Sequence, residues 1–79
     1  MNPEDIKTLL AATFPAADIQ VDGDGRHFNL VLVSEQFEGL RAIKRQQLVY
    51  AALNAEIASG AIHAVNMRTL TPAESEALT

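Results

Sequence analysis

The chain has 79 residues, a net charge of −4 and no cysteine: the size of one small domain (residues 1–79), without disulfides, thiol chemistry or a cysteine metal site of its own. Its acidic balance disfavours broad attachment to nucleic acid, and no apolar run approaches the roughly 20 residues that span a bilayer. Met1-Asn2-Pro3-Glu4-Asp5 lacks the positive charge and apolar stretch of a secretory signal, so the cytoplasm is the expected location and no membrane contact is expected.

The first element reads as a helix over residues 3–14. Asn2 suits the N-cap, Pro3 the first helical position, and Glu4 and Asp5 complement the positive end of the helix dipole. Ile6, Leu9, Leu10 and Phe14 share one apolar face, and Pro15 stops the helix. Alternating polar and apolar residues over 18–22 predict a half-buried strand, and the β-branched and aromatic run 28–33 predicts a central one. Between them, Gly23-Asp24-Gly25-Arg26-His27 supplies the glycines of a tight hairpin, so the two strands should be antiparallel. This Gly-x-Gly joins strand to strand and opens no helix, which excludes a dinucleotide-binding fingerprint.

Residues 34–39 lead into a helical segment over 40–59, where Leu40, Ile43, Leu48, Ala51, Ala52 and Ala55 recur at helical spacing. The segment is expected to break in two at or just before Gln46-Gln47, giving a helix-turn-helix. Gly60 fits the position just past a helix end. A third strand is expected over 61–68, with Ala61, His63, Val65 and Met67 on one face and Ile62, Ala64, Asn66 and Arg68 on the other. Thr71-Pro72-Ala73-Glu74 is a capping box that opens a last helix over 72–78. The order α-β-β-α-α-β-α predicts an α+β fold in which helices pack one three-stranded mixed sheet. K-homology modules of class II have a similar topology, but their Gly-x-x-Gly clamp is missing here.

Two groups of residues carry candidate chemistry. His27 and His63 are the side chains able to titrate near neutral pH or to bind a transition metal. Both stand at expected strand starts, and two imidazoles alone make an incomplete metal site. On spacing alone, His27 reads equally as a solvated loop residue and His63 as a partly buried strand residue. Arg41, Lys44 and Arg45 hold half of the positive charge and fall on one helical face. That face suits a partner protein or nucleic acid, or is simply solvated and balanced by Glu35 and Glu38. Asp22 and Asp24 read as turn residues beside glycine. No nucleophile and base share a motif, so no enzymatic activity is expected.

The pieces Asp22-Gly23-Asp24-Gly25-Arg26-His27-Phe28, Phe37-Glu38-Gly39, Lys44-Arg45-Gln46-Gln47-Leu48-Val49-Tyr50 and Ile62-His63-Ala64-Val65, with Thr69-Leu70-Thr71-Pro72-Ala73-Glu74, resemble the BolA family in order and spacing. The likeness runs from about Ile6 to Glu74. Gln46 after Arg45, where BolA proper carries Arg-His, resembles the short bacterial IbaG (YrbA)-type branch. The resemblance implies an adaptor that pairs with a monothiol glutaredoxin bearing Cys-Gly-Phe-Ser and shares one [2Fe–2S] cluster with it. The partner's cysteine and glutathione would supply sulfur, His63 would be a ligand, and His27 would be a second ligand or lie close by. Cluster binding through imidazoles should then weaken in mild acid. His63→Ala is expected to cost more cluster than His27→Ala, on the premise that a strand holds its side chain more rigidly than a glycine-rich loop. The alternative is a nucleic-acid-binding regulator that uses the basic helix-turn-helix. Whether the isolated chain is a monomer or a homodimer is left open.

Overall fold

The computed structural model describes residues 1–78. Its first helix, α1 (Pro3–Thr13), opens on a reciprocal cap: the Asn2 side chain accepts from the Asp5 backbone N–H, and the Asp5 carboxylate accepts from the Asn2 N–H. These bonds satisfy donors that a helix start otherwise leaves open. The helix ends at Thr13, one residue earlier than the apolar spacing predicts, because Pro15 disfavours helical dihedrals in Phe14 before it. Phe14 still reaches the core, its ring centre 5.5 Å from that of Phe37.

Three strands follow the expected pattern: β1 (Asp18–Gly23), β2 (His27–Val33) and β3 (Ala64–Leu70). β1 runs antiparallel to β2, with Val21 opposite Leu30, and β3 runs parallel to β2, with Leu30 opposite Met67. The sheet order β1-β2-β3 makes β2 central and the sheet mixed. Phe28, Leu30 and Leu32 point into the core with Ile19, and Val65 and Met67 pack at its margin. Gly23 lies opposite Phe28, and a Cβ there would come within 2.6 Å of the Phe28 ring and meet the His27 carbonyl as well. The close approach of two backbones explains this glycine.

After β2, Ser34 caps a short 3-10 turn, Glu35–Phe37, that drives Phe37 into the core. The helical segment then divides into α2 (Ala42–Ala52) and α3 (Asn54–Ser59), and the break falls at Leu53, not at Gln46-Gln47. Glutamine is a good helix former, so nothing at those positions interrupts the ladder. The interruption comes where Leu53 turns into the core beside Val49, both fully buried. The expected stripe is corrected too, because Ile43 is 62% exposed and the inward anchors are Val49 and Leu53.

The third strand starts three residues later than predicted. Gly60 caps α3 in the left-handed conformation (φ 84°), which any side chain would strain. The N–H of Ile62 then returns to the Glu56 carbonyl of α3, so the sheet ladder cannot begin there. Ile62 is buried, whereas His63 is exposed and sits just ahead of β3 instead of within it. The last helix, α4 (Pro72–Ala77), carries the reciprocal Thr71–Glu74 cap and is one residue shorter than expected. The order α-β-β-α-α-β-α and the α+β class stand as predicted. Among the described residues no helix is long and apolar enough to cross a membrane.

Candidate functional site

Parallel pairing of β2 with β3 brings the first residues of both strands to one end of the sheet, with His27 opposite Ala64. The Arg26 carbonyl accepts from the N–H groups of both His63 and Ala64, at 3.0 and 3.2 Å. That shared acceptor ties the approach to β3 against the β1–β2 loop. The rings of His27 and His63 consequently meet edge to face, their centres 5.3 Å apart and their planes at 87°. Both histidines are expected at strand starts, and the parallel register of β2 with β3 puts those starts at the same end of the sheet.

The loop that presents His27 is organised by Asp24. Its Oδ1 accepts from the backbone N–H groups of Arg26 and His27, at 3.0 and 2.8 Å, while its own N–H donates to the His27 carbonyl. Its other oxygen, Oδ2, stands 3.3 Å from Nδ1 of His27. The two backbone bonds, His27 first and Arg26 second, with the imidazole third, hold the Asp24 carboxyl well below the usual carboxylate range. Sequence reasoning assigned Asp24 to the turn alone. The Asp-x-x-His spacing, which lets one carboxylate reach both a loop backbone and a ring, was the available signal.

The basic trio is divided by the structure. Arg41 and Lys44 are exposed on α2 and its N-cap. Arg45 turns inward at the other end of the sheet, its side chain 11% exposed. Its guanidinium donates to the Leu40 and Thr69 carbonyls and to both carboxylate oxygens of Glu74, and it lies 5.9 Å above the centre of the Phe37 ring. Glu74 Oε1 also accepts from the Thr71 N–H. Its pKa is thereby lowered from 4.5 to about 2, first by Arg45 and then by Thr71.

The histidine pair is an open surface. Hollows of about 250 and 360 Å³ lie elsewhere, near Ser34 and Pro72 and on the uncovered sheet face at Gln20 and Asn29, and neither histidine lines them. Among the described residues no three His, Cys, Asp or Glu side chains gather to hold a metal ion. Two imidazoles are a partial donor set. A metal bound through nitrogen lies about 2 Å from that atom and about 3 Å from the ring centre, so two imidazoles on one ion at a near-tetrahedral angle have centres about 5 Å apart. The observed 5.3 Å agrees with this.

Residues 9–74 match the family model described as BolA-like protein. The chain belongs to the BolA family. Among curated relatives, an uncharacterised protein of the rpoN–murA intergenic region in Acinetobacter guillouiae is 49% identical, over 94% of this chain and 89% of the relative. The acid stress protein IbaG of Escherichia coli strain K12 is 39% identical, over 94% of this chain and 88% of that protein. The solved structure of a BolA homologue from Coxiella burnetii superposes with a TM-score of 0.85 at 36% identity, covering 96% and 97% of the two chains. These BolA relationships span the hairpin loop, both histidines and the Arg45 neighbourhood.

Proposed function

We propose that this BolA-family chain, of the IbaG-type branch, is a non-enzymatic cytoplasmic adaptor that binds a monothiol glutaredoxin and co-ligates a [2Fe–2S] cluster through His63 and His27. One observation carries the reading: two exposed imidazoles in edge contact, on a chain with no cysteine, where among the described residues no three His, Cys, Asp or Glu side chains gather into a complete metal site. Such a half-site is functional only when a second protein completes it. A glutaredoxin cysteine and glutathione would supply the sulfur ligands, and the cluster would supply one-electron chemistry when bound. The chain's own part is to present imidazole nitrogen and a docking surface. The Arg26 carbonyl anchors the backbone at His63, and the Asp24 loop anchors His27.

The placement of the histidines removes the premise for ranking them. His27 is the first residue of β2, and His63 lies outside β3, so rigidity does not favour His63. Each variant is expected to lose the cluster signal to a similar degree. The test is a titration of cluster-loaded monothiol glutaredoxin, followed by visible absorption and circular dichroism, with wild type, His27→Ala and His63→Ala. A one-to-one spectral change with wild type that both variants lack is the expected result. No change with wild type would falsify the reading. The nucleic-acid alternative is weakened by the engagement of Arg45, which leaves Arg41 and Lys44 as the exposed cations of the trio. Binding to duplex DNA that falls steeply with salt and disappears in an Arg41→Ala/Lys44→Ala double variant would restore it.

A further inference from the structure

Asp24 does more than shape the hairpin loop. One of its oxygens is occupied by two backbone N–H groups, which fixes the carboxylate in place and aims the other oxygen at Nδ1 of His27. Gly25, with φ 98°, lets the chain turn tightly enough for this. A carboxylate only accepts, so a neutral His27 bonded to it must carry its proton on Nδ1. That is the opposite of the tautomer a free neutral imidazole prefers in water.

We infer that Asp24 is a positioning residue that fixes His27 as the Nδ1–H tautomer and leaves Nε2 unprotonated as the metal-binding nitrogen. The inference rests on the cluster reading for its consequence, but not for the tautomer itself. Physically it is a carboxylate–histidine relay, in which the hydrogen bond at one ring nitrogen decides which lone pair faces the metal and how basic it is. No hydrogen bond donated to Nε2 competes for that lone pair among the described residues. The loop carbonyl of Arg26, held by the same turn, brings His63 to the same place. Asp24 therefore holds the His27 ring directly, and reaches His63 only through the Arg26 carbonyl of the loop it fastens.

Asp24→Asn separates the two roles. The amide oxygen can keep the two loop N–H groups, while the amide nitrogen replaces Oδ2 and donates to Nδ1. The loop survives, and the His27 proton moves to Nε2. The first readout is nitrogen-15 correlation NMR of the histidine rings in the free protein at a pH of about 8, where an ordinary imidazole is neutral. Wild type should show Nδ1–H at His27 and Asp24→Asn should show Nε2–H, with backbone amides beyond the loop unmoved. The second readout is the titration of cluster-loaded glutaredoxin. Asp24→Asn should bind about 10–100-fold more weakly, with an altered circular dichroism spectrum. Asp24→Ala, which removes loop and ring bonds together, should disturb the loop amides as well.

A wild-type ring protonated on Nε2, a tautomer that ignores Asp24→Asn, or titrations identical for wild type and Asp24→Asn would each overturn the assignment. If wild type leaves the cluster spectrum untouched, the cluster reading falls and the proposed ligand role of Nε2 falls with it. The free-protein tautomer distinguishes that outcome from a failure of Asp24 to position the ring.

Discussion

The two ends of the sheet are built on opposite principles. At the C-terminal ends of β2 and β3, Arg45 is nearly enclosed and spends its donors on Leu40, Thr69 and Glu74, over the ring of Phe37. At the N-terminal ends, Asp24 and His27 are 67% and 59% exposed, and the His63 ring stands beside them. Each end contains one carboxylate and one nitrogen group close enough to bond. Enclosure makes one of them a fastening between four segments of chain. Exposure leaves the other energetically slight, because solvent screens it, yet chemically available.

The largest expected effect tests the packing beneath the open end. Phe28→Ala removes a fully buried ring next to His27 and should lower stability by about 3–5 kcal/mol in urea unfolding. Loss much below that would mean the open end is not supported by the core. Arg45→Met keeps the aliphatic stem but orphans two carbonyls, and should cost about 2 kcal/mol. A change within error would show the enclosed fastening to be dispensable. Acid separates the ends further. The Glu74 pKa is lower folded than unfolded, so its contribution is complete above about 4.5 and is lost as pH falls toward about 2. Urea midpoints measured from a pH of about 5 downward should fall less steeply in Glu74→Gln than in wild type. Equal slopes would remove the Arg45–Glu74 pair from the account. Smallest of all, His27→Ala and His63→Ala should change stability by no more than about 0.5 kcal/mol, although both are expected to abolish the cluster response.

The order of elements was legible because its punctuation is local. Asn2 with Asp5, Pro15, Gly60 and Thr71 with Glu74 each act within a few residues, so their meaning survives without tertiary context. What depended on distant partners was not legible. Arg45 cannot be told from Arg41 or Lys44 by helical spacing, since its partners lie in β3 and α4. The helix break at Leu53 reflects burial of that side chain, which no propensity at Gln46 or Gln47 anticipates. The start of β3 was misjudged because Ala61-Ile62-His63 looks like strand, while the Ile62 N–H is committed to α3. His27 and His63 stand out as the chain's two histidines, the resemblance to BolA proteins gives them a ligand role, and their contact follows from the parallel register.

That register has a kinetic consequence. The hairpin of β1 and β2 can form from neighbours in sequence, but β3 reaches His27 only after both central helices have been traversed. Pairing between such distant segments carries a larger loop-closure cost than the hairpin and is expected to follow it on the folding path. A nascent or partly unfolded chain can present His27 on its hairpin without His63 beside it. The two-imidazole face therefore exists only in molecules that have paired β3 with β2, so a partner that needs both rings would select finished chains over unfinished ones.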